Sequence, residues 1–221
     1  MTTPPLPSPS APHWPHCGEG AATADPVGCL GRQVPGESLC LAHLAPAARA
    51  RYLATLSPGS DIDHRGTTFA ESLLSQLLAA LRDPTSHRPH LGSAQFHDVT
   101  FSADAWFHGV TFSADAGFSR ATFSGPARFD RATFSGTAQF DRATFSDTAW
   151  FDGARFSGPA RFDRARFSGP ASRPPAPPRR RRRSPHCGRA APAGGRLPAP
   201  PTARGPARHA GTPPRPHPEP R

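Results

Sequence analysis

The 221-residue sequence predicts a mainly β solenoid of short strands, preceded by a small α-helical N-terminal module and followed by a disordered C-terminal tail. Three observations predict it. Phenylalanines recur through the middle of the chain in alternating steps of five and six, and a small residue stands two places before each. The last 50 residues hold 15 of the 30 prolines and the whole basic excess of the chain. Five segments follow: a disordered Pro-rich start (1–16), a small Cys/His-containing module (17–66), a capping helix and lead-in (67–93), the repeat (94–171) and a Pro/Arg-rich tail (172–221).

The repeat carries most of the information. Its aromatic positions are Phe96, Phe101, Phe107, Phe112, Phe118, Phe123, Phe129, Phe134, Phe140, Phe145, Phe151, Phe156, Phe162 and Phe167, fourteen of the fifteen phenylalanines in the chain. The position two before each is Ala in twelve cases and Val99 or Val110 in the other two. Side chains two apart point the same way only in an extended segment, so each unit reads as a very short strand with its small residue and Phe inward. Ser or Asp, then Gly or Arg, follow as turn formers. A helix fails on the same spacing: steps of five and six at about 100° per residue scatter the rings over no shared face. Gly-Pro at 125–126, 158–159 and 169–170 breaks a helix as well.

Units such as Ala-Arg-Phe-Asp-Arg at 127–131 and 160–164 resemble the signature of the pentapeptide-repeat family. The resemblance implies a right-handed quadrilateral β-helix with four units per coil and the aromatics stacked inside. Every second unit here has a sixth residue (Asp104, Asp115, Pro126, Thr137, Thr148, Pro159, Pro170), expected to bulge at two opposite corners. The lead-in, with Asp25-Pro26-Val27-Gly28-Cys29, Cys40-Leu41-Ala42-His43-Leu44 and Asp61-Ile62-Asp63-His64-Arg65-Gly66, is similar to that of actinobacterial members.

Upstream, Thr68-Phe69-Ala70-Glu71 reads as a capping box, with Phe69, Leu73, Leu74, Leu77, Leu78 and Leu81 on one stripe of a helix over about 68–82. Its Leu face is expected to cover the open end of the first coil. No comparable helix follows Phe167. The last coil is expected to be uncapped and prone to end-to-end self-association, and residues 172–221 read as a truncation or frameshift product as readily as a working segment.

Cys17, Cys29, Cys40 and His43 form a donor set suited to a tetrahedral structural zinc, in a segment too small to hold itself by a core. Gly28 and Gly31 supply a tight turn beside such a ligand. The alternative is three buried free cysteines and an ordinary surface histidine. No other cofactor is expected.

The blocks 1–93, 94–171 and 172–221 carry net charges of −1, 0 and +11. The run Arg179, Arg180, Arg181, Arg182 and Arg183 could contact a polyanion, and nucleic acid is expected only there. It reads more readily as a solvated charge run. A neutral repeat disfavours mimicry of DNA toward a type II topoisomerase, which needs an acidic rod. Asp61-Ile62-Asp63-His64, read as a turn segment, is the only local acid/base cluster. No nucleophile elbow or phosphate loop is present, so an enzyme is not expected. Four cysteines and no stretch long enough to span a bilayer point to a reducing cytoplasm. The expected role is a non-catalytic scaffold for an unidentified protein partner.

Overall fold

The computed structural model describes residues 11–171. Residues 1–10 of the Pro-rich start and the whole tail, with Arg179–Arg183, lie outside the described residues. The fold is a parallel β-solenoid of about four turns with two short helices.

Its first coil contains β1 (Ile62–Asp63), β2 (Thr68–Phe69), α2 (Glu71–Ala80) and β3 (His90–Leu91), after α1 (Pro46–Ala54). The second runs β4 (Ala94–Gln95), β5 (Thr100–Phe101), β6 (Ala105–Trp106) and β7 (Thr111–Phe112). The third runs β8 (Ala116–Gly117), β9 (Thr122–Phe123), β10 (Ala127–Arg128) and β11 (Thr133–Phe134). The fourth runs β12 (Ala138–Gln139), β13 (Thr144–Phe145), β14 (Ala149–Trp150) and β15 (Arg155–Phe156), followed by β16 (Ala160–Arg161) and β17 (Arg166–Phe167).

Stacking makes four parallel sheets, in the orders β1-β4-β8-β12-β16, β2-β5-β9-β13-β17, β6-β10-β14 and β3-β7-β11-β15. Ala94 pairs with Ala116 and Ala116 with Ala138, a step of one four-unit coil. The six-residue units therefore sit at two opposite corners, between the second and third sheets and between the fourth and the first.

The inward positions fill the coil completely. Phe96 through Phe151 and the alanines beside them are buried. Within a column the rings stack, as in Phe118 over Phe140 at 4.9 Å and 2°. Between columns they meet edge to face, as in Phe101 and Phe107 at 5.5 Å and 89°. Both arrangements suit the ring quadrupole, and the stacking distance equals the strand spacing, so backbone and side-chain ladders share one period.

The two corner types solve different problems. At five-residue corners the chain turns through one residue of positive φ: Asp98, Gly109, Arg120, Arg131, Arg142, Gly153 and Arg164. At six-residue corners the extra residue replaces that strained turn, and stacked corners approach closely. A Cβ on Gly136 would lie 2.6 Å from the Ala114 carbonyl carbon in the coil before.

Several expectations change. The helix begins at Glu71, its N-cap is Ala70, and no side chain caps it. Thr68-Phe69 is not a capping box but a strand, paired with Thr100-Phe101. Phe69 consequently belongs to the solenoid core, stacked 5.7 Å from Phe101. α2 does more than cover an end. It stands where a third strand would be in the first coil and buries Leu73, Leu74, Leu77 and Leu78, lying against β2 and β6. Asp61-Ile62-Asp63-His64 is not a turn either. Ile62-Asp63 pairs with Ala94-Gln95, which puts His64 in the column of Phe96.

At the far rim the column ends open up: Phe156 and Phe162 are half-buried and Phe167 is 38% exposed.

Candidate functional site

Two features beyond the core carry chemistry: a Cys/His cluster in the N-terminal module and a column of outward side chains on the third sheet.

The module is built on hydrogen-bonded turns. Cys17 N–H donates to the Gly31 carbonyl (2.8 Å), Gly18 N–H to Cys29 O (2.9 Å) and Cys29 N–H to Glu19 O (2.9 Å). His16 bridges Arg32 and Gln33 bridges Cys40, both antiparallel. After Cys40 the chain makes a turn, with His43 and Leu44 N–H donating back to the Cys40 carbonyl. α1 begins just beyond it, at Pro46. Arg49 fixes that turn by donating to the carbonyls of Leu41, Ala42 and Leu44.

These turns bring Cys17, Cys29, Cys40 and His43 together, their four donor atoms within 4.8 Å of one another. Cys40 is buried, Cys17 and Cys29 half-buried, and His43 exposed. Burial pushes the Cys40 thiol up to about 12 and raises Cys29 too. Gly28, at φ +64°, packs so that a Cβ would lie 2.6 Å from the Gly18 carbonyl oxygen. Gly28 thus has the left-handed backbone of a tight bend, whereas Gly31 does not and lies outside any turn.

The module sits on the first coil. Arg32 N–H donates to Arg65 O (2.7 Å), Trp14 Nε1 donates to Leu30 O (3.0 Å), and the Arg65 guanidinium lies 5.0 Å from the Trp14 ring centroid. Val34, Leu41 and Leu44 join the same core as the phenylalanines. Tyr52 of α1 covers His64 edge-on at 5.8 Å, its hydroxyl 3.3 Å from His64 Nε2.

The acid/base cluster dissolves on inspection. Asp63 points outward between Arg32 (3.0 Å) and Arg65 (2.7 Å). Burial opposes its ionisation, but the hydrogen bonds and charge of Arg65, with the charge of Arg32, hold its pKa below the usual carboxylate value. His64 points inward, buried and pushed down to about 4 by desolvation, with Nδ1 lacking a partner. The two groups face opposite sides of one strand and cannot act on one substrate.

The outward column is Trp106, Arg128 and Trp150, one coil apart on β6, β10 and β14. The Arg128 guanidinium lies 4.9 Å from the Trp106 centroid and 5.0 Å from that of Trp150. Arg128 also reaches Asp130 at 3.3 Å, and His108 reaches the same carboxylate at 3.0 Å. Trp106 is 42% exposed. The inward pattern of the sequence does not single these outward positions out. The signal was present in the identity of residues 22 apart, but it gains meaning only once four units are known to close a coil.

The geometry defines a class: a repeat protein whose stacked four-sided coils bury a continuous aromatic core. The particular family follows from the repeats themselves. Residues 91–133 and 118–166 match the family model for pentapeptide repeats, in 9 copies, so this stretch of the chain is built of pentapeptide repeats. The matched stretch begins at β3 and leaves out Ile62, His64 and Phe69, which complete the first coil. No curated protein and no solved structure matches the chain. Among the described residues no helix is long and apolar enough to cross a membrane.

Proposed function

We propose that this protein is a non-catalytic scaffold that binds a protein partner through the face formed by β6, β10 and β14. The observation that carries this reading is the Trp106–Arg128–Trp150 ladder. Trp and Arg dominate the energetics of protein interfaces. Here the Arg128 guanidinium is already held between two indoles on a rigid sheet, so little side-chain entropy is lost on binding. The repeat as a whole sets eight Arg against eight Asp, so its surface carries no net charge, and at one corner they pair between coils. Arg120 forms a two-pronged pair with Asp98 at 2.6 and 2.7 Å. A shallow groove further along the same corner, lined by Arg120 too, mixes Asp141 and Asp163 with Arg142, Arg161 and Arg164.

The same pairing argues against mimicry of DNA, which needs uncompensated negative charge along the rod. Two measurements separate the readings. Affinity purification from the native host should recover partners with the wild-type chain that are lost with W106A/R128A/W150A and kept with a control change at Thr122 on the second sheet. Equal recovery by all three chains removes the ladder from the proposal. Inhibition or protection in a gyrase supercoiling assay at low micromolar protein would replace the scaffold reading with the topoisomerase one.

A further inference from the structure

Three donor-to-donor distances in the Cys/His cluster match the edges of a tetrahedral metal site. Cys29 Sγ lies 3.8 Å from Cys40 Sγ, and His43 Nδ1 lies 3.3 Å from Cys17 Sγ and 3.4 Å from Cys40 Sγ. Zinc bound tetrahedrally at about 2.3 Å from sulfur and about 2.0–2.1 Å from nitrogen sets S···S edges of about 3.8 Å and S···N edges of about 3.5 Å. A disulfide needs its sulfurs at about 2.05 Å, so the Cys29 and Cys40 sulfurs are far beyond bonding distance. Buried cysteines packed merely as small hydrophobes have no reason to converge with a fourth donor, the imidazole of an otherwise exposed histidine.

The surroundings fit as well. Gly31 N–H donates to Cys29 Sγ at 3.4 Å, the kind of backbone contact that orients a ligand sulfur. A side chain at Gly31 would put Cβ 2.9 Å from Cys40 Sγ and 3.1 Å from the Thr67 hydroxyl oxygen, so glycine keeps the cluster clear and seats it on the corner of the first coil. Gly66 lies against Leu30 so closely that a Cβ there would come 2.5 Å from its carbonyl oxygen.

We propose that Cys17, Cys29, Cys40 and His43 bind one zinc ion, and that this ion clamps the N-terminal module onto the first coil as the end cap of the solenoid. Four protein donors leave no open position, so the role is structural. The donors come from separate segments with little core of their own, which a metal can tie together where apolar burial cannot. Within this chain the ion therefore governs whether the His64 and Phe69 end of the aromatic column stays covered.

The test uses the full chain, purified reduced and without chelator. Metal analysis should give about one zinc ion per chain, falling to background in Cys40→Ser and Cys17→Ser. Substituted cobalt should show the visible bands of a tetrahedral thiolate site. Because a serine variant can fail to fold, His43→Cys serves as the second variant: it keeps a four-donor set and should retain zinc. In the wild-type protein a thiol-blocking mercurial should release zinc to a colorimetric chelator, and a strong chelator should lower the unfolding temperature. Background zinc in reduced, zinc-supplied protein overturns the proposal. So does another metal in its place, zinc indifferent to Cys17 and Cys40, or the mass loss of a Cys29–Cys40 disulfide.

Discussion

The first coil and the three that follow solve the same packing problem by different means. From Phe96 onward every side is filled by a ring at a fixed distance above the last, and each strand pairs with its equivalent one coil away. In the first coil only Phe69 follows that rule. His64 and Leu91 occupy the equivalent positions on the first and fourth sheets, and α2 replaces the third strand altogether. Repetition extends a solenoid but cannot end one. The end needs a side chain that can meet a non-repeating neighbour, as His64 meets Tyr52, and a helix whose own backbone is satisfied while it covers the first edge of a sheet.

The contrast can be broken most strongly from within. Phe129→Ala, in the middle of a stacked column, should lower stability by about 3–5 kcal/mol in denaturant unfolding of the full chain. Phe167→Ala at the half-open rim should cost well under half of that. Equal losses would mean that the columns are not continuous.

The first coil should reveal itself by pH. Burial holds folded-state His64 at about 4, below its ordinary 6.5, so the unfolded chain takes up the proton first as pH falls. The His64 contribution is complete above about pH 6.5 and is lost progressively toward pH 4, on the order of 3 kcal/mol in all. His64→Phe should flatten unfolding curves measured across that window. Asp63, whose pKa is lowered, adds pH dependence only below that window: its stabilisation is present above the ordinary carboxylate value and lost as pH falls through the folded one.

Corners give smaller and oppositely signed effects. Gly136→Ala forces apart two stacked corners and should destabilise by about 1–3 kcal/mol. Arg142→Gly relieves a left-handed residue at φ +58° and should stabilise by about 0.5–1 kcal/mol, net of the entropy of glycine. Both are read as shifts in the unfolding midpoint. Smallest is Asp98→Asn, which removes a largely exposed ion pair and should cost less than about 1 kcal/mol, vanishing at high salt.

How much was legible in the sequence follows from the same contrast. Coils two to four announce themselves because each inward position uses one residue type, so a period of 5 and 6 is visible without any structure. The first coil hides because His64 and Leu91 break the pattern, while Phe69 sits at helix spacing from Leu73 and so reads as part of α2. Propensity and capping signals at Thr68 to Glu71 are local, whereas the pairing of Thr68 with Thr100 is not. The Cys17, Cys29, Cys40 and His43 set was legible by residue type alone. Its convergence depends on two turns and on Gly31, which spacing does not encode. The Trp106–Arg128–Trp150 ladder lay within reach of the four-unit coil that the resemblance implies, but the inward pattern does not mark which outward residues 22 apart will meet.

The central claim, that stacked coils with inward rings form one continuous ladder, is tested most directly by amide exchange of the full chain followed by NMR. The N–H groups of Phe118, Phe129 and Phe140 donate to the carbonyls of Gln139, Trp150 and Arg161 in the next coil. They should exchange only with global unfolding, orders of magnitude slower than an open chain. Exchange of these three amides at open-chain rates, under conditions where the protein is otherwise native, would contradict it.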